Sequence, residues 1–211
     1  MEAMEGWQAR WREGRTRWDQ GREHPELARL LEHARREGEL TAAARIFSAG
    51  CGRAHNEAYL ARCGFEVTAV DLVPEAIDEA RKLYGMIPQL HLAVQDVCVL
   101  GADELHAYGA VFDRAMLCAL EPAHRPQYIE AIRERLSERG LFFSILFRSV
   151  RTLQGPPFAL DETAAFDLMA ADFDLAWAGA AADPGEGNVS EEWLCIWRKK
   201  QRKDGNERKD P

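Results

Sequence analysis

Apolar and polar positions along the chain alternate between two periods. A three-to-four spacing carries Trp7 and Trp11 in a segment from about Glu2 to Arg12, and Leu27, Leu30, Leu31 and Ala34 in a segment from about Pro25 to Glu37. Both patterns put apolar groups on one helical face, and Pro25 suits a first turn while Gly38 suits a stop. From Arg45 onward, short β-branched and aromatic runs alternate with helical stretches. The runs Arg45–Ala49, Glu66–Val70, Leu90–Gln95, Ala110–Asp113 and Leu141–Phe147 read as strands. Between them Ala54–Cys63, Pro74–Tyr84 and Ala123–Ser137 read as helices. After Gly155-Pro156-Pro157 the pattern gives a helix at about Asp161–Ala171 and two strands, Phe173–Ala178 and Trp193–Arg198. The Gly-, Ala- and Pro-rich linker between those two strands suits a hairpin-like return. The expected fold is α/β: a Rossmann-like sandwich of seven strands, mostly parallel, with an antiparallel edge strand. Residues 1–44 would form a helical cover, 45–198 the core and 199–211 a polar, disordered tail, all within one domain.

The first strand runs into Gly50-Cys51-Gly52-Arg53, and the second ends on Asp71 followed by Leu72. A strand, a glycine turn, a helix and a second strand ending in an acid form a unit that sets a ribose against open backbone. A dinucleotide would ask for a third glycine, so that its pyrophosphate could approach the helix N-terminus. His55 stands at that place. An adenosine without a phosphate fits better, which points to S-adenosylmethionine (AdoMet). Asp96 ends the third strand and is placed to take an adenine amine, with Val97 beside it to cover the base. Trp11 and Trp18 read either as core or as a wall beside a sulfonium, where an aromatic face gains cation–π energy. Arg114, directly after the fourth strand, reads either as an anchor for an anionic substrate or as the partner of a nearby acid. Arg125 reads as a brace for its loop. His24, His55 and Asn56 read as helix-start residues.

Composition narrows the partners. A formal charge of −8 over 211 residues argues against general nucleic-acid binding. No apolar run approaches the roughly 18 residues that span a bilayer, and the charged N-terminus lacks the apolar stretch of a secretory signal. Five scattered cysteines with no C-x-x-C pair read as free thiols in a reducing cytoplasm, without a metal. The monomer is the expected state. No G-x-x-x-x-G-K-[ST] loop for phosphoryl transfer and no G-x-S-x-G nucleophile turn is present.

Trp11-Arg-Glu-Gly-Arg-Thr-Arg-Trp18-Asp-Gln-Gly21 resembles the N-terminal signature of the thiopurine S-methyltransferase family. Gly50-Cys51-Gly52-Arg53 is similar to that family's cofactor loop. Phe112-Asp113-Arg114-Ala115, then Ala119-Leu120-Glu121-Pro122, Arg125 and Tyr128, resembles its block around the fourth strand. Gly155-Pro156-Pro157-Phe158 looks like a turn of the plant halide/thiol branch. Ala49 departs from the Pro of many members, and Ala54 and Asn56 depart from the Gly and Asp common in the halide branch. The resemblance implies AdoMet-dependent methyl transfer to a soft nucleophile: a thiol, a thiopurine, a halide, or a selenium or tellurium species. It implies cofactor contacts at Trp11, Trp18, Gly50, Gly52, Asp71, Leu72, Asp96 and Val97. Arg114 would stand near substrate and Trp18 would wall the reacting centre. Rival readings are an O- or N-methyltransferase of a specialised metabolite, a non-catalytic AdoMet-binding regulator and, third, a dinucleotide oxidoreductase.

Overall fold

The computed structural model describes residues 2–36, 40–150, 155–182 and 189–201. Glu37 and the expected stop at Gly38 lie outside these residues, as does the tail beyond residue 201. Among the described residues seven α-helices and seven strands follow in the order α1 (Glu2–Arg12), α2 (Leu27–Arg36), β1 (Arg45–Ala49), α3 (His55–Arg62), β2 (Glu66–Asp71), α4 (Pro74–Tyr84), β3 (Leu90–Val94), β4 (Tyr108–Arg114), α5 (Met116–Ala119), α6 (Arg125–Arg135), β5 (Leu136–Val150), α7 (Glu162–Met169), β6 (Phe173–Ala180) and β7 (Val189–Lys199).

One sheet holds all seven strands, in the order β3-β2-β1-β4-β5-β7-β6. The first five pair in parallel, and β7 runs antiparallel to both β5 and β6. The antiparallel strand is therefore one in from the edge, with β6 outside it. β7 lies between β5 and β6 and pairs with the long β5 from Leu141 to Val150.

Strand pleating divides the core between the two faces of the sheet. Ile46, Val67, Phe112, Leu141 and Phe143 point to one face, where Leu27, Leu30 and Leu31 of α2 and Ala58 and Leu60 of α3 cover them. Phe47, Val70, Val111, Phe142 and Trp197 point to the other, against Tyr128, Ile129 and Ile132 of α6 and Met169 of α7. Both faces are buried, so the central strands are nearly continuous apolar runs. Asp161 caps α7, accepting from the Ala164 N–H at 2.9 Å.

Several boundaries move from expectation: β4 begins at Tyr108, β7 at Val189, and β5 runs from Leu136 to Val150, starting five residues early because α6 ends at Arg135. Arg133 and Arg135 are both buried, the first beside Asp172 at 2.8 Å, the second beside Glu104 at 3.2 Å. The short helix α5 was not expected. Ala115 at φ 74° turns the chain, and the Asp113 carboxylate accepts from the Met116 N–H at 2.9 Å.

Candidate functional site

The carboxyl ends of β1 to β4, where open α/β sheets hold ligands, border a cavity of about 630 Å³. Trp7, Trp11, Trp18 and Asp19 of the N-terminal segment also line it. Of the residues singled out from sequence, Trp11, Trp18, Gly50, Gly52, Asp71, Leu72, Asp96, Val97 and Arg114 all line this one cavity.

The turn after β1 is built on positive φ angles, +63° at Gly50 and +55° at Gly52, and Ala54 follows at 60°. A Cβ at Gly50 would also stand 2.2 Å from Met116 Sδ, so the methionine side chain would have to move to admit it. Asp71 holds the turn: its Oδ2 accepts from the Gly52 N–H at 3.0 Å and its Oδ1 from the Val73 N–H at 2.9 Å. Burial pushes the Asp71 carboxyl up, and those backbone N–H groups oppose the rise. An ionised carboxylate has about four acceptor positions, so capacity beyond these backbone bonds remains for a ribose hydroxyl.

Across the cavity, Asp96 is exposed and accepts from the Cys98 N–H at 2.9 Å, while Val97 is buried. Arg135, fully buried, keeps this loop in place by donating to the Val97 carbonyl at 2.6 Å and the Val99 carbonyl at 3.0 Å.

Trp7, Trp11 and Trp18 form the aromatic part of the cover. The Trp18 ring meets Trp7 edge-on at 5.2 Å and Trp11 at 6.1 Å. Trp11 is nearly buried and packs on Val73 and Ala76, so it is both core and cavity wall. Arg53 fastens the cover to the turn. Its Nη1 donates to Asp19 and, at 3.2 Å, to Thr16 Oγ1; its Nε donates to Glu79 at 2.6 Å; and its Cζ lies 4.8 Å from the Trp11 ring. Burial raises the Asp19 carboxyl, but hydrogen bonds from His55, the Gly21 N–H and Arg53 outweigh it and hold Asp19 well below the usual carboxylate range.

Arg114 meets both of its sequence readings. It lines the cavity, and its Nη2 lies 3.2 Å from Glu192 Oε1. Glu192 is itself buried, with its other oxygen 2.6 Å from His24 Nε2. The His24 N–H in turn donates to Asn56 Oδ1 at 2.8 Å. His24 and Asn56 therefore join the cover to the core, a role that helix-start positions did not reveal. Arg125 braces its loop as expected, donating to the Leu117 and Phe158 carbonyls at 2.9 and 3.2 Å. Sequence reasoning missed Trp7, Arg53, Glu57, Met116 and Phe147 as cavity residues. Trp7 had a signal, since it shares the helical face of Trp11. Among the described residues no His, Cys, Asp and Glu cluster can hold a metal ion.

The thiopurine S-methyltransferase (TPMT) family model matches residues 2–193. The chain belongs to that family. A thiopurine S-methyltransferase of Bordetella petrii is 31% identical over 172 residues, covering 74% of this chain and 76% of that one. Thiocyanate methyltransferase 1 of Arabidopsis thaliana is 28% identical over 159 residues, covering 74% and 67%. Among solved structures, the 1,6-didemethyltoxoflavin-N1-methyltransferase of Burkholderia thailandensis, with bound S-adenosylhomocysteine, superposes with a TM-score of 0.72 at 22% identity, over 94% of this chain and 87% of that one. Family membership makes this chain an AdoMet-dependent methyltransferase, and the cavity fits the cofactor through its glycine turn and the spare acceptor capacity of Asp71.

Proposed function

We propose that this methyltransferase acts on the sulfur of a small thiol or thiopurine-like compound. The observation that carries the reading is Arg114, a mostly buried cation at the end of β4 that lines the cavity together with Trp18 and Phe147. Bound AdoMet supplies a methyl group already activated by its positive sulfur. The residues of this chain would then align the reactants and keep water out. Asp71 holds the ribose hydroxyls, Asp96 and Val97 take the adenine, and Trp11 and Trp18 wall the sulfonium. Arg114 favours the thiolate over the thiol, and a thiolate is the reactive form of a sulfur nucleophile. Its partner Glu192 fixes the guanidinium while leaving donors over, since an arginine has five N–H groups.

Cofactor and acceptor would sit in the core, residues 45–198, with 1–44 as cover, in a monomer acting on a small molecule in the cytoplasm. Five free cysteines and the net charge of −8 support a reducing compartment and a partner other than nucleic acid. Among the described residues no helix is long and apolar enough to cross a membrane.

The test is transfer of label from methyl-labelled AdoMet to a panel of thiols, a thiopurine, thiocyanate, halides and selenite. Label on thiol or thiopurine sulfur is expected. Label confined to halide or selenium, or no transfer to any sulfur acceptor, would overturn the reading. Arg114→Ala should raise KM for the sulfur acceptor while binding of S-adenosylhomocysteine (AdoHcy) stays near wild type. An unchanged kcat/KM would remove Arg114 from the substrate site.

A further inference from the structure

Glu57 stands in the first turn of α3, shortly after the glycine turn, and lines the cavity although only 2% of it is exposed. Its Oε1 accepts from Ser48 Oγ at 2.6 Å, and Ser48 is itself buried in β1. Its Oε2 is buried and has no hydrogen-bond partner. The neighbours Ala54, Ala58 and Leu60 are apolar and fully buried. A buried carboxylate oxygen left unpaired is costly, and one on a cavity wall is satisfied when a ligand brings the missing donor.

The sheet order tells which part of a ligand arrives there. Asp96 and Val97 follow β3 and Asp71 ends β2, so an adenosine lies over that side. The next strand is β1, which carries Ser48 and feeds the turn into α3. Whatever extends from the ribose passes over β1, and in AdoMet that extension ends in an α-ammonium and an α-carboxylate. Arg114 and Phe147 bound the acceptor side, one and two strands further on.

We propose that Glu57 is the carboxylate that receives the α-ammonium of AdoMet, held in position by Ser48; the proposal rests on the AdoMet reading. Capture of an ammonium needs the ionised acid. Burial pushes the Glu57 carboxyl up to about 7 in the free protein, with the Ser48 hydrogen bond opposing. Facing it are His55 from the same helix, Cys51 from the turn, Asp71 from β2 and Tyr84 from α4. Binding should therefore release a proton and tighten as pH rises from about 6 to about 8.

Calorimetry on the full chain tests this with three probes: AdoHcy, AdoHcy lacking its α-amino group, and 5′-methylthioadenosine, which lacks the whole amino-acid end. Glu57→Gln keeps the shape and the Ser48 contact. It should weaken AdoHcy binding about 10- to 100-fold, as expected for losing a hydrogen bond to a charged group. Binding of 5′-methylthioadenosine and of the deaminated analogue should stay as in wild type, and the pH dependence for AdoHcy should flatten. Ser48→Ala keeps the Glu57 carboxyl but removes the hydrogen bond that favours its ionised form, so it should weaken AdoHcy alone, with the loss shrinking as pH rises. Equal weakening of all three probes would mean that Glu57 only shapes the turn. Unchanged AdoHcy affinity with lower turnover would make it a base for the acceptor. Either result overturns the proposal. If the wild-type chain binds 5′-methylthioadenosine but not AdoHcy, the ammonium site alone fails; if it binds neither, the AdoMet reading fails with it.

Discussion

At Gly50 an added Cβ would sit 2.2 Å from Met116 Sδ and 2.6 Å from Met116 Cγ, on backbone at φ +63°. Gly50→Ala should therefore cost about 2 to 4 kcal/mol by chemical denaturation, combining left-handed strain with overpacking. Gly52 differs in one respect. Its Cβ would meet Trp11 at 3.7 Å, an ordinary contact, so Gly52→Ala should cost only the backbone strain of about 1 to 2 kcal/mol. Adding Met116→Ala should recover part of the loss at Gly50 and none at Gly52; equal recovery at both would contradict this account of the clash. Asp71 works differently, since both of its oxygens hold backbone and would share those oxygens with a ribose. Asp71→Asn keeps one acceptor and turns an NH₂ toward a backbone donor. AdoHcy affinity should fall by about tenfold or more, and calorimetry showing no loss would remove Asp71 from the ribose site.

Within the N-terminal segment, the stretch from Trp11 to Gly21 is held to the core by a few side chains, while α2 packs into the main core. Arg53 joins Thr16 and Asp19 of the cover to Glu79 of α4 and lies against Trp11. Arg53→Ala should speed amide exchange over residues 16–21 and shift tryptophan emission to longer wavelength, while β1, β2 and β4 keep their protection. A uniform rise in exchange would mean that this stretch is no independent unit. At this scale the sequence was legible wherever one period ran uninterrupted. Arg45–Ala49 and Pro74–Tyr84 stand where the apolar spacing puts them. The end of α6 was not, because Arg133 and Arg135 look solvated in sequence and are buried on partners many residues away. Candidate cavity residues at strand ends were legible because topology alone brings strand ends together. Glu57 was not, since a glutamate in a helix's first turn ordinarily faces water and favours the dipole. Nor was Glu192, which reaches Arg114 from 78 residues away, a pairing that exists only once β7 enters beside β5.

Across the whole molecule, the buried carboxyls link stability to pH in one direction. Burial raises Glu57 from an ordinary 4.5 to about 7 and Asp113 from 3.8 to about 6, and it raises Asp71 as well. A carboxyl that holds its proton more tightly in the folded state stabilises the fold at low pH. That contribution is lost as pH climbs from the unfolded value through the folded one. Asp19 is shifted the other way, so its contribution is intact above the ordinary carboxylate range and disappears only in stronger acid. Between about pH 5 and about pH 8 the raised groups therefore act without opposition from Asp19, and the Tm of the ligand-free protein should fall across that window. Glu57 should account for about 2 to 3 kcal/mol of the decline. Glu57→Gln carries no titrating group there, so its Tm should fall less steeply and overtake wild type near the alkaline end. Saturating AdoHcy should act in the opposite sense on wild type, because an ammonium beside Glu57 stabilises the ionised form and restores what deprotonation removed. Scanning calorimetry of both proteins, with and without AdoHcy, separates these effects. Parallel Tm profiles for wild type and Glu57→Gln would show that the Glu57 carboxyl does not change protonation in this window, and the ammonium site would then lose its pH signature.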